Sequence, residues 1–392
     1  MKPLKVLQFS EVINSFDCID TIVQFADIEA FEMSVCVETE HSNIVKPVFP
    51  KGTKVELLAR NSHSRILQSA WKLSKLLKEW EIDILHAHHF DPALIGLLAT
   101  RLNPKTKFIF GRHYSDVIQN LGGAKRLFYL GLEQFINRGC SRIIVPSAVI
   151  EGLLIKQQGI SQEKIDVIPE GVAAEKYESL SDSEIAALRN IFGLEGKFVV
   201  VSVGKLTEGK GVRFLAEAVA SIRAKIPNIV VLFVGEGEER AYLQNIATRE
   251  NLGDALKIAG WRTDAITFIA ASDIVVQPTL TEAFSQVMGE AMWMSKPLII
   301  TDVSGATDII KTGENGVLVP KANSKALADS IINLFKNPEL RLRIGKNGRE
   351  YVEEHLIISK VIKMYEASYY KTMGMCNKNN SRINQLAMRK SL

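Results

Sequence analysis

The segment spanning residues 277–310 constrains the fold more than any other part of this 392-residue chain. An apolar run at 273–276 ends at its start, a helical pattern occupies 283–294, and a second apolar run follows at 297–301. Two strands joined by a helix pair in parallel, so these residues predict part of a parallel α/β sheet. The turns after the two strands, the second of them the small-residue pair at 304–305, then lie at the carboxyl edge, where open sheets bind ligands.

Two carboxylates lie in this segment, Glu282 just before the helical pattern and Glu290 eight residues later. Eight helical residues rise about 12 Å, which suits a ligand with a polyol at each end and an anion between, as in a nucleotide sugar. Glu290 is predicted to accept the ribose hydroxyls and Glu282 to hold the transferred sugar. The peptide N–H groups of Phe284 and Ser285, after Ala283, would face the diphosphate. Alternatively, Glu282 caps the helix and Glu290 is solvated.

A glycine-rich turn follows another apolar run, at 198–203. It contains Gly204, Lys205, Lys210 and Gly211, and a helical pattern starts at the next residue. Glycines before a helix, with two lysines five positions apart, predict a concave positive site for a diphosphate. It is not a P-loop, because Gly211 stands where Ser or Thr would hold magnesium. The alternative is that both lysines are simply solvated.

Histidines cluster after two strands of the first half. Residues 82–85 precede His86 and His88, and residues 108–110 precede His113. A metal site is one interpretation, but no Cys or carboxylate joins these histidines at ligand spacing. Polar strand ends are the other interpretation.

Linked motifs over most of the chain resemble those of the family-four retaining glycosyltransferases. They read, in order, E-A-F-S, G-E-A-M, K-P-L-I-I-T-D-V-S-G and T-G-E-N-G-V-L-V-P, and they include the E-x7-E pair Glu282 and Glu290. The resemblance implies an α/β protein of the GT-B fold, two Rossmann-like domains facing each other across a cleft. It also implies transfer of a hexose-type sugar, with retention, from a nucleoside diphosphate to a hydroxyl acceptor.

The resemblance also suggests roles for single residues. His113 matches the family histidine that contacts the donor sugar, with Asp116 beside it, and His86 and His88 are left on the acceptor side with uncertain roles. The turns that contain Gly235 and Gly260 belong to the donor site. Relatives seat the base at the loop that follows Gly260, so Trp261 or Arg262 is expected to stack on it. A Trp in such a turn can equally fill the core.

Three positions depart from the family pattern. Lys205 stands where arginine is common, which keeps the charge but loses the bidentate fork. Residues 10–20, after the first apolar run, contain no glycine, although relatives place a Gly-Gly turn there for phosphate. Glu170 replaces the usual asparagine of a turn that Gly171 still allows.

The resemblance and the length together predict two domains. The first comprises residues 1–170 and is completed by a helix at 357–375, the second comprises 171–356, and 376–392 form a disordered basic tail. Four cysteines without C-x-x-C spacing indicate reduced thiols, hence a cytoplasmic protein. The start of the chain runs directly into a strand, and no apolar run approaches 18 residues, so neither a signal peptide nor a spanning helix is expected.

Charge is unevenly distributed, although the net charge of +4 is too small to indicate nucleic acid binding. Residues 1–40 contain two Lys against eight acids, whereas 41–142 contain sixteen Lys and Arg against seven acids. A helix predicted at 64–80 places Lys72, Lys75 and Lys78 opposite its apolar face, and Trp71 among them. This pattern predicts contact with an anionic membrane, at the inner face of the cytoplasmic membrane. Alternatively, Trp71 packs under a neighbouring loop.

The predicted reaction needs no cofactor and no metal, because no D-x-D motif occurs and fixed cations would neutralise the diphosphate. The donor is expected to be a nucleotide sugar, UDP-linked rather than GDP-linked, and the acceptor a glycan or glycolipid of the cell envelope. Two rival functions remain open. One is a non-catalytic binding or scaffold member of the family, suggested by the missing Gly-Gly turn. The other is a nucleotide-sugar epimerase, which shares the fold.

Overall fold

The computed structural model describes residues 2–11, 18–39, 49–59, 66–115, 118, 121–177 and 180–375. It forms two compact units, which divide between Gly171 and Val172 and again between Ile357 and Ile358. Most of the glycine-free turn, Asp116 and the basic tail 376–392 lie outside the described residues, so the expectations for them stay predictions.

The first unit is built on a seven-stranded sheet in which every neighbouring pair is parallel, in the order β3-β2-β1-β4-β5-β6-β7. Its interior strands are apolar along most of their length, as expected when helices cover both faces of a sheet. The strands are β1 Leu4–Ser10, β2 Phe31–Thr39, β3 Lys54–Ala59, β4 Ile84–His88, β5 Lys107–Gly111, β6 Arg142–Val145 and β7 Ile165–Val167.

Helices connect these strands. They are α1 Cys18–Phe25, α2 Ile66–Glu79, α3 Phe90–Arg101, α4 Gly123–Gly139 and α5 Ala148–Gln158. In α2 the buried residues include Ala70, Leu73 and Leu77, the predicted core face, whereas Trp71 is 53% exposed. The Lys75 ammonium lies 3.6 Å from the centre of the Trp71 ring. Trp71 is therefore covered by a cation of its own helix rather than buried in the core.

The second unit contains a six-stranded parallel sheet in the order β10-β9-β8-β11-β12-β13. Two apolar clusters, one on each face, form its core. The strands are β8 Phe198–Val203, β9 Ile229–Val234, β10 Leu256–Gly260, β11 Ile274–Gln277, β12 Leu298–Thr301 and β13 Val317–Val319. The order reverses at β8, so the carboxyl ends of β8, β9 and β11 surround a switch point of the kind that binds ligands.

The helices of the second unit are α6 Asp182–Ile191, α7 Val212–Arg223, α8 Arg240–Arg249, α9 Ala265–Ala271, α10 Gln286–Trp293, α11 Ser304–Ile309, α12 Ser324–Lys336 and α13 Pro338–Tyr351. The polar composition of residues 173–196 predicts a connector between the domains, but the segment contains the helix α6. Ser181 and Glu184 form a complete capping box at its start, and α6 packs on α9. The S-x-x-E spacing was the available signal.

A π-helical turn, Val352–Leu356, precedes the last helix, α14 Ile358–Thr372, which packs in the first unit. Ser368 of α14 donates a hydrogen bond of 2.8 Å to Asp166 of β7. Asp166 also accepts from Arg142 of β6, at 2.6 Å for one of the two contacts. No helix in the described part of the chain is both long and apolar enough to cross a bilayer.

We expect Asp166→Asn to weaken the packing of α14 on the first unit. We also expect it to change how the free energy of unfolding depends on pH in acid. Burial alone would raise the pKa of Asp166, but the hydrogen bonds from Arg142 and Ser368 outweigh it and lower the pKa. A carboxyl whose folded pKa is depressed contributes stability above its unfolded pKa of about 3.9, and loses it as the pH falls through the folded pKa. Wild-type stability should therefore fall more steeply than that of the variant below about pH 4.

Hydrogen exchange of the α14 amides, followed from pH 3 to 7, measures this effect. Asp329→Asn is the matched control, since Asp329 pairs with Lys325 on an exposed face of α12. Equal protection of α14 in Asp166→Asn and wild type at neutral pH would contradict the assignment.

Candidate functional site

Glycine backbones meet at the carboxyl ends of β8, β9 and β10. Gly204 and Gly235 have φ values of 147° and 149°, which L side chains rarely adopt. A Cβ on Gly235 would lie 1.9 Å from the carbonyl oxygen of Gly204. The Gly235 amide donates to the Gly260 carbonyl at 2.8 Å. The three strand ends therefore form one backbone surface that tolerates no side chain at its centre.

A pocket of about 210 Å³ lies on this surface, in the second unit. It brings together five residues predicted to bind the donor, Gly204, Lys205, Gly235, Trp261 and Arg262. Gly260 supports it through the bond to Gly235. The prediction missed four lining residues, Val203, Val234, Glu236 and Ala265. Val203, Val234 and Glu236 are next to predicted glycines in the sequence. That position was the signal by which they could have been predicted.

Trp261 is 70% exposed, so the alternative that it fills the core is wrong. Its neighbour Arg262 donates two hydrogen bonds of 2.8 Å to Asp264. The Arg262 bond holds the pKa of Asp264 below its usual value. The guanidinium is thus fixed by its own turn, and the indole is left as the projecting flat group at the pocket.

A second group of predicted residues lies where the turn before α7 packs on the turn after β11. A Cβ on Gly211 would lie 2.0 Å from the Pro278 carbonyl oxygen, and the Leu280 amide donates to the Gly209 carbonyl at 2.8 Å. This packing allows Lys210 to form an ion pair with Glu282. Lys205, in contrast, is exposed and has no carboxylate partner among the residues described.

The helix that follows Glu282 begins later than predicted. Its first residue is Gln286, and Ser285 is the N-cap, with a side chain that accepts from the Met288 amide at 3.3 Å. Residues 283–285 are therefore loop, so the 12 Å helical rise between the two glutamates was wrong, and so was the alternative that Glu282 caps the helix. The apolar Ala283 and Phe284 fit a helical period because they are buried in the loop.

The pair at 304–305 is also not a loop, since it opens α11. A Cβ on Gly305 would lie 2.5 Å from the Ala283 carbonyl oxygen and 2.9 Å from the Phe284 Cα. The small residue thus lets α11 approach the loop after Glu282 directly. The absence of a side chain at Gly305 is what allows this contact.

Glu290 lies on α10 and is not solvated, contrary to the alternative stated above. Tyr177 donates a hydrogen bond of 2.9 Å to one of its carboxylate oxygens. Burial raises the pKa of Glu290, while the Tyr177 bond opposes that shift. Tyr177 was not predicted, because it lies 113 positions away in the sequence and nothing local marks it.

In the first unit, a buried polar cluster joins β1, β4, β5 and α14. We call Gln8, His86, His88, His113 and Tyr369 the Gln8 network. His88 Nε2 lies 2.8 Å from Gln8 Oε1, and His88 Nδ1 lies 2.9 Å from His113 Nε2. The Tyr369 hydroxyl lies 3.0 Å from Gln8 Nε2 and 3.1 Å from His86 Nδ1. Gln8 and Tyr369 were not predicted.

Burial keeps these imidazoles neutral. Desolvation lowers the pKa of His86 to about 3 and lowers the pKa values of His88 and His113 well below the usual range. Within the described ranges, no group of three or more His, Cys, Asp or Glu side chains is placed to hold a metal ion. The histidine nitrogens contact Gln8, Tyr369 and one another, as the strand-end interpretation expects.

A buried ion pair holds the turn that contains His113. Arg112 and Glu133 of α4 are both fully buried, and Arg112 Nε lies 2.8 Å from a Glu133 oxygen. The same guanidinium donates to the backbone carbonyls of Tyr114 and Ser115, at 2.5 and 3.0 Å. Arg112 thus fixes the two residues that follow His113 through contacts with their backbone carbonyls.

We expect Glu133→Gln to destabilise the first unit by about 3–5 kcal/mol, because it leaves the buried Arg112 charge without its carboxylate. Chemical unfolding of variant and wild type measures the difference. The surface variant Lys325→Ala, which removes one partner of an exposed pair, should change little. A Glu133→Gln protein as stable as Lys325→Ala would show that the pair does not hold the turn.

Two family models match the chain. The model described as Glycosyltransferase Family 4 matches residues 30–176, and the model described as Glycosyl transferases group 1 matches residues 184–351. Each match falls mainly within one of the two units.

Among similar proteins is the putative glycosyltransferase EpsD of Bacillus subtilis, 29% identical over 286 residues, which are 71% of this chain and 74% of that protein. The UDP-Gal:alpha-D-GlcNAc-diphosphoundecaprenol alpha-1,3-galactosyltransferase of Escherichia coli is 29% identical over 79% of this chain and 81% of its own length.

Solved structures share the fold. A glycosyltransferase from Rickettsia africae has a TM-score of 0.81 at 20% identity, covering 97% of this chain and 100% of its own. Anabaena HepE in complex with UDP has a TM-score of 0.79 at 21% identity, covering 94% of this chain and 100% of its own. With its two parallel-sheet, Rossmann-like units and these matches, the chain belongs to the family-four glycosyltransferases and has the GT-B fold.

Proposed function

We propose that the protein transfers a hexose-type sugar, with retention, from a nucleoside diphosphate to a hydroxyl of a glycan or glycolipid acceptor. The observation that carries the proposal is the pocket over the glycine surface of the second unit, lined by Lys205, Trp261 and Arg262. Backbone that closely approaches a ligand, next to a free cation, suits a diphosphate. The exposed indole suits a base. Fold alone would not support this assignment.

In the proposed reaction, the bond between the sugar C1 and the diphosphate oxygen breaks, and a bond from C1 to the acceptor oxygen forms on the same face. The acceptor proton passes to the departing phosphate. Lys205 and Lys210 stabilise the negative charge that develops on the leaving group. The exposed Lys205 is available directly, whereas Lys210 is held in place by Glu282.

Glu290 is proposed to bind the ribose hydroxyls. It already accepts one hydroxyl, from Tyr177, and its carboxylate has further acceptor capacity. Glu282 is proposed to orient the transferred sugar, and the family resemblance gives His113 a contact with the same sugar. A neutral His113 suits this role, since an imidazolium would repel a sugar that gains positive charge.

A UDP sugar is the favoured donor. The E. coli relative carries UDP-Gal in its name, and HepE structures contain UDP, UDP with glucose, or UDP-glucose. The same relative acts on a diphosphoundecaprenol-linked sugar, and another similar protein is a lipopolysaccharide core glycosyltransferase of Rhizobium meliloti. These names support an envelope glycolipid or polysaccharide precursor as the acceptor.

Kinetics of three variants test the donor site. Lys205→Ala and Lys210→Ala should each lower kcat/KM by an amount equivalent to about 2–4 kcal/mol, by analogy with lost oxyanion donors. Glu290→Ala should mainly raise the donor KM. The assay measures release of nucleotide from UDP, GDP and ADP sugars, with thermal shift to identify the base that binds.

Lys225→Ala, at an exposed position near the end of α7, is the matched control and should behave as wild type. Near-normal kinetics in all three site variants, with folds intact, would remove the assigned donor site. If the wild type binds UDP yet releases none from any donor, the scaffold function would replace the proposal. Release of an altered sugar nucleotide without any acceptor would favour an epimerase.

We also propose that the transfer needs no divalent metal, because Lys205 and Lys210 supply cations where other transferases use a metal. Activity should be unchanged after treatment with EDTA and gel filtration. A loss of activity that only magnesium or manganese restores would contradict this proposal.

We further infer a cytoplasmic enzyme that contacts the inner face of the membrane through Trp71 and its neighbours Lys72, Lys75 and Lys78. The exposed indole with Lys75 stacked on it supports this inference. Exposed Leu127 on α4 is a second apolar residue of the same unit that lies next to basic residues in the sequence, Lys125 and Arg126.

Vesicle co-sedimentation tests the membrane contact. Binding should require anionic lipid, weaken with salt, and fall when Trp71 and Lys75 are both replaced by Ala. Leu342→Ala with Lys346→Ala is the matched control, an exposed apolar residue and a lysine with the same spacing on α13. Equal pelleting with neutral and anionic vesicles, or none with either, would rule the contact out.

A further inference from the structure

The Gln8 network connects His113 to parts of the chain that lie far from it in sequence. Gln8 comes from β1, His88 from β4 and Tyr369 from α14, and all three side chains are fully buried. The imidazoles of His88 and His113 are stacked, with ring centres 5.1 Å apart and planes at 23°. In a chain of hydrogen bonds between buried groups, each bond has one donor and one acceptor. The donor or acceptor role of one side chain therefore restricts the role of the next.

The position of the Gln8 amide decides this assignment. Its Nε2 lies 3.0 Å from the Tyr369 hydroxyl and 4.0 Å from the Met33 sulfur, and the thioether can only accept. The NH₂ group therefore faces Tyr369 and Met33, and Oε1 faces His88 and must accept.

The remaining protons follow in order. Because Gln8 Oε1 accepts, His88 Nε2 carries the proton of the neutral ring. His88 Nδ1 is then an acceptor, so the 2.9 Å contact takes its proton from His113 Nε2. His113 is thereby fixed as the Nε2–H tautomer, with a lone pair on Nδ1. The reverse amide orientation would give the opposite tautomer at both histidines.

Glycine at position 111 allows the rings to come together. A Cβ there would lie 2.9 Å from both His113 Nε2 and His86 Nε2, and 3.0 Å from His88 Nδ1. No larger residue fits among three imidazoles at these distances. Burial disfavours the charged forms of His88 and His113. It therefore opposes a second proton on either ring, which would change the sequence of donors and acceptors.

We propose that Gln8 and Tyr369 are positioning residues for the transfer reaction, which hold His113 through His88 in the tautomer that presents Nδ1 as a hydrogen-bond acceptor. His113 Nδ1 is buried in this structure. The partner that we assign to it is a hydroxyl of the donor sugar, which is the contact that the family resemblance implies for His113, so this inference rests on the proposed function. It gives α14 a functional role, because Tyr369 connects that helix to the network, and it predicts that the last helix cannot be removed without loss of turnover.

Nitrogen NMR of protein labelled at its seven histidines tests the tautomer directly. The His113 signals are identified by their absence in His113→Asn. In wild type they should show protonated Nε2 and unprotonated Nδ1 at neutral pH. Gln8→Met, which keeps the side-chain length but removes the amide, should give a mixture of tautomers or the reversed one.

Turnover is measured on the same proteins. Gln8→Met should lower kcat by about 10- to 100-fold, by analogy with the loss of groups that orient metal-bound imidazoles, with a small change in donor KM. Tyr369→Phe keeps the ring that packs on Phe31 and should show a smaller loss in the same direction. Ser34→Ala is the control, since it removes another buried hydrogen bond beside β1, to the Val6 carbonyl, without touching the network.

Three results would overturn the proposal. One is a His113 tautomer that is unchanged in Gln8→Met. Another is a changed tautomer with normal kcat, which would leave the network a purely structural role. The third is a loss of kcat in Ser34→Ala equal to that in Gln8→Met, which would trace the effect to stability. If wild type turned over no nucleotide sugar, the proposed function would fail, and the NMR result would still decide the Gln8 network.

Discussion

Close contact between backbones is the constraint on which the second unit depends. At four of the glycines along the carboxyl edge of the sheet, a Cβ would meet a carbonyl oxygen at 2.5 Å or less, and each contact joins two of the turns there. They are Gly211, Gly235, Gly237 and Gly305. These contacts allow the ends of β8 and β9, the turn before α7 and the loop before α10 to form one continuous surface. Lys205, Lys210 and Glu282 owe their positions to that packing, since each lies within or beside one of these turns.

The first unit depends instead on how it buries polar and charged groups. Arg112 and Glu133 are fully buried and form an ion pair, and Arg112 also binds the backbone carbonyls of the two residues that follow His113. The Gln8 network contacts the same turn through the ring of His113. A buried polar group without a partner costs free energy, so networks of this kind permit few arrangements. His113 is accordingly held by its backbone from one direction and by its ring from the other.

The parallel sheets and the positions of several strands were predictable, because apolar runs of strand length alternate with helical patterns. Local sequence patterns were less reliable in the turns and connections between these elements. The start of α10 was predicted too early because Ala283 and Phe284 are buried for a tertiary reason, against Gly305. The capping box before α6 was visible in the sequence, and the polar composition of the segment hid it.

The sequence by itself determined the two α/β units, the family, and the residue types around the pocket at the strand ends, since glycines, lysines and acids follow strand ends in recognisable motifs. Only the tertiary structure decided which partners those residues have. Tyr177 reaches Glu290 across 113 positions, and Tyr369 reaches Gln8 across 361. Such pairings leave no local pattern, because they depend on the order in which the strands assemble and on where the last helix packs. The proton arrangement at His113 follows from those pairings, so no motif around His113 could have specified it.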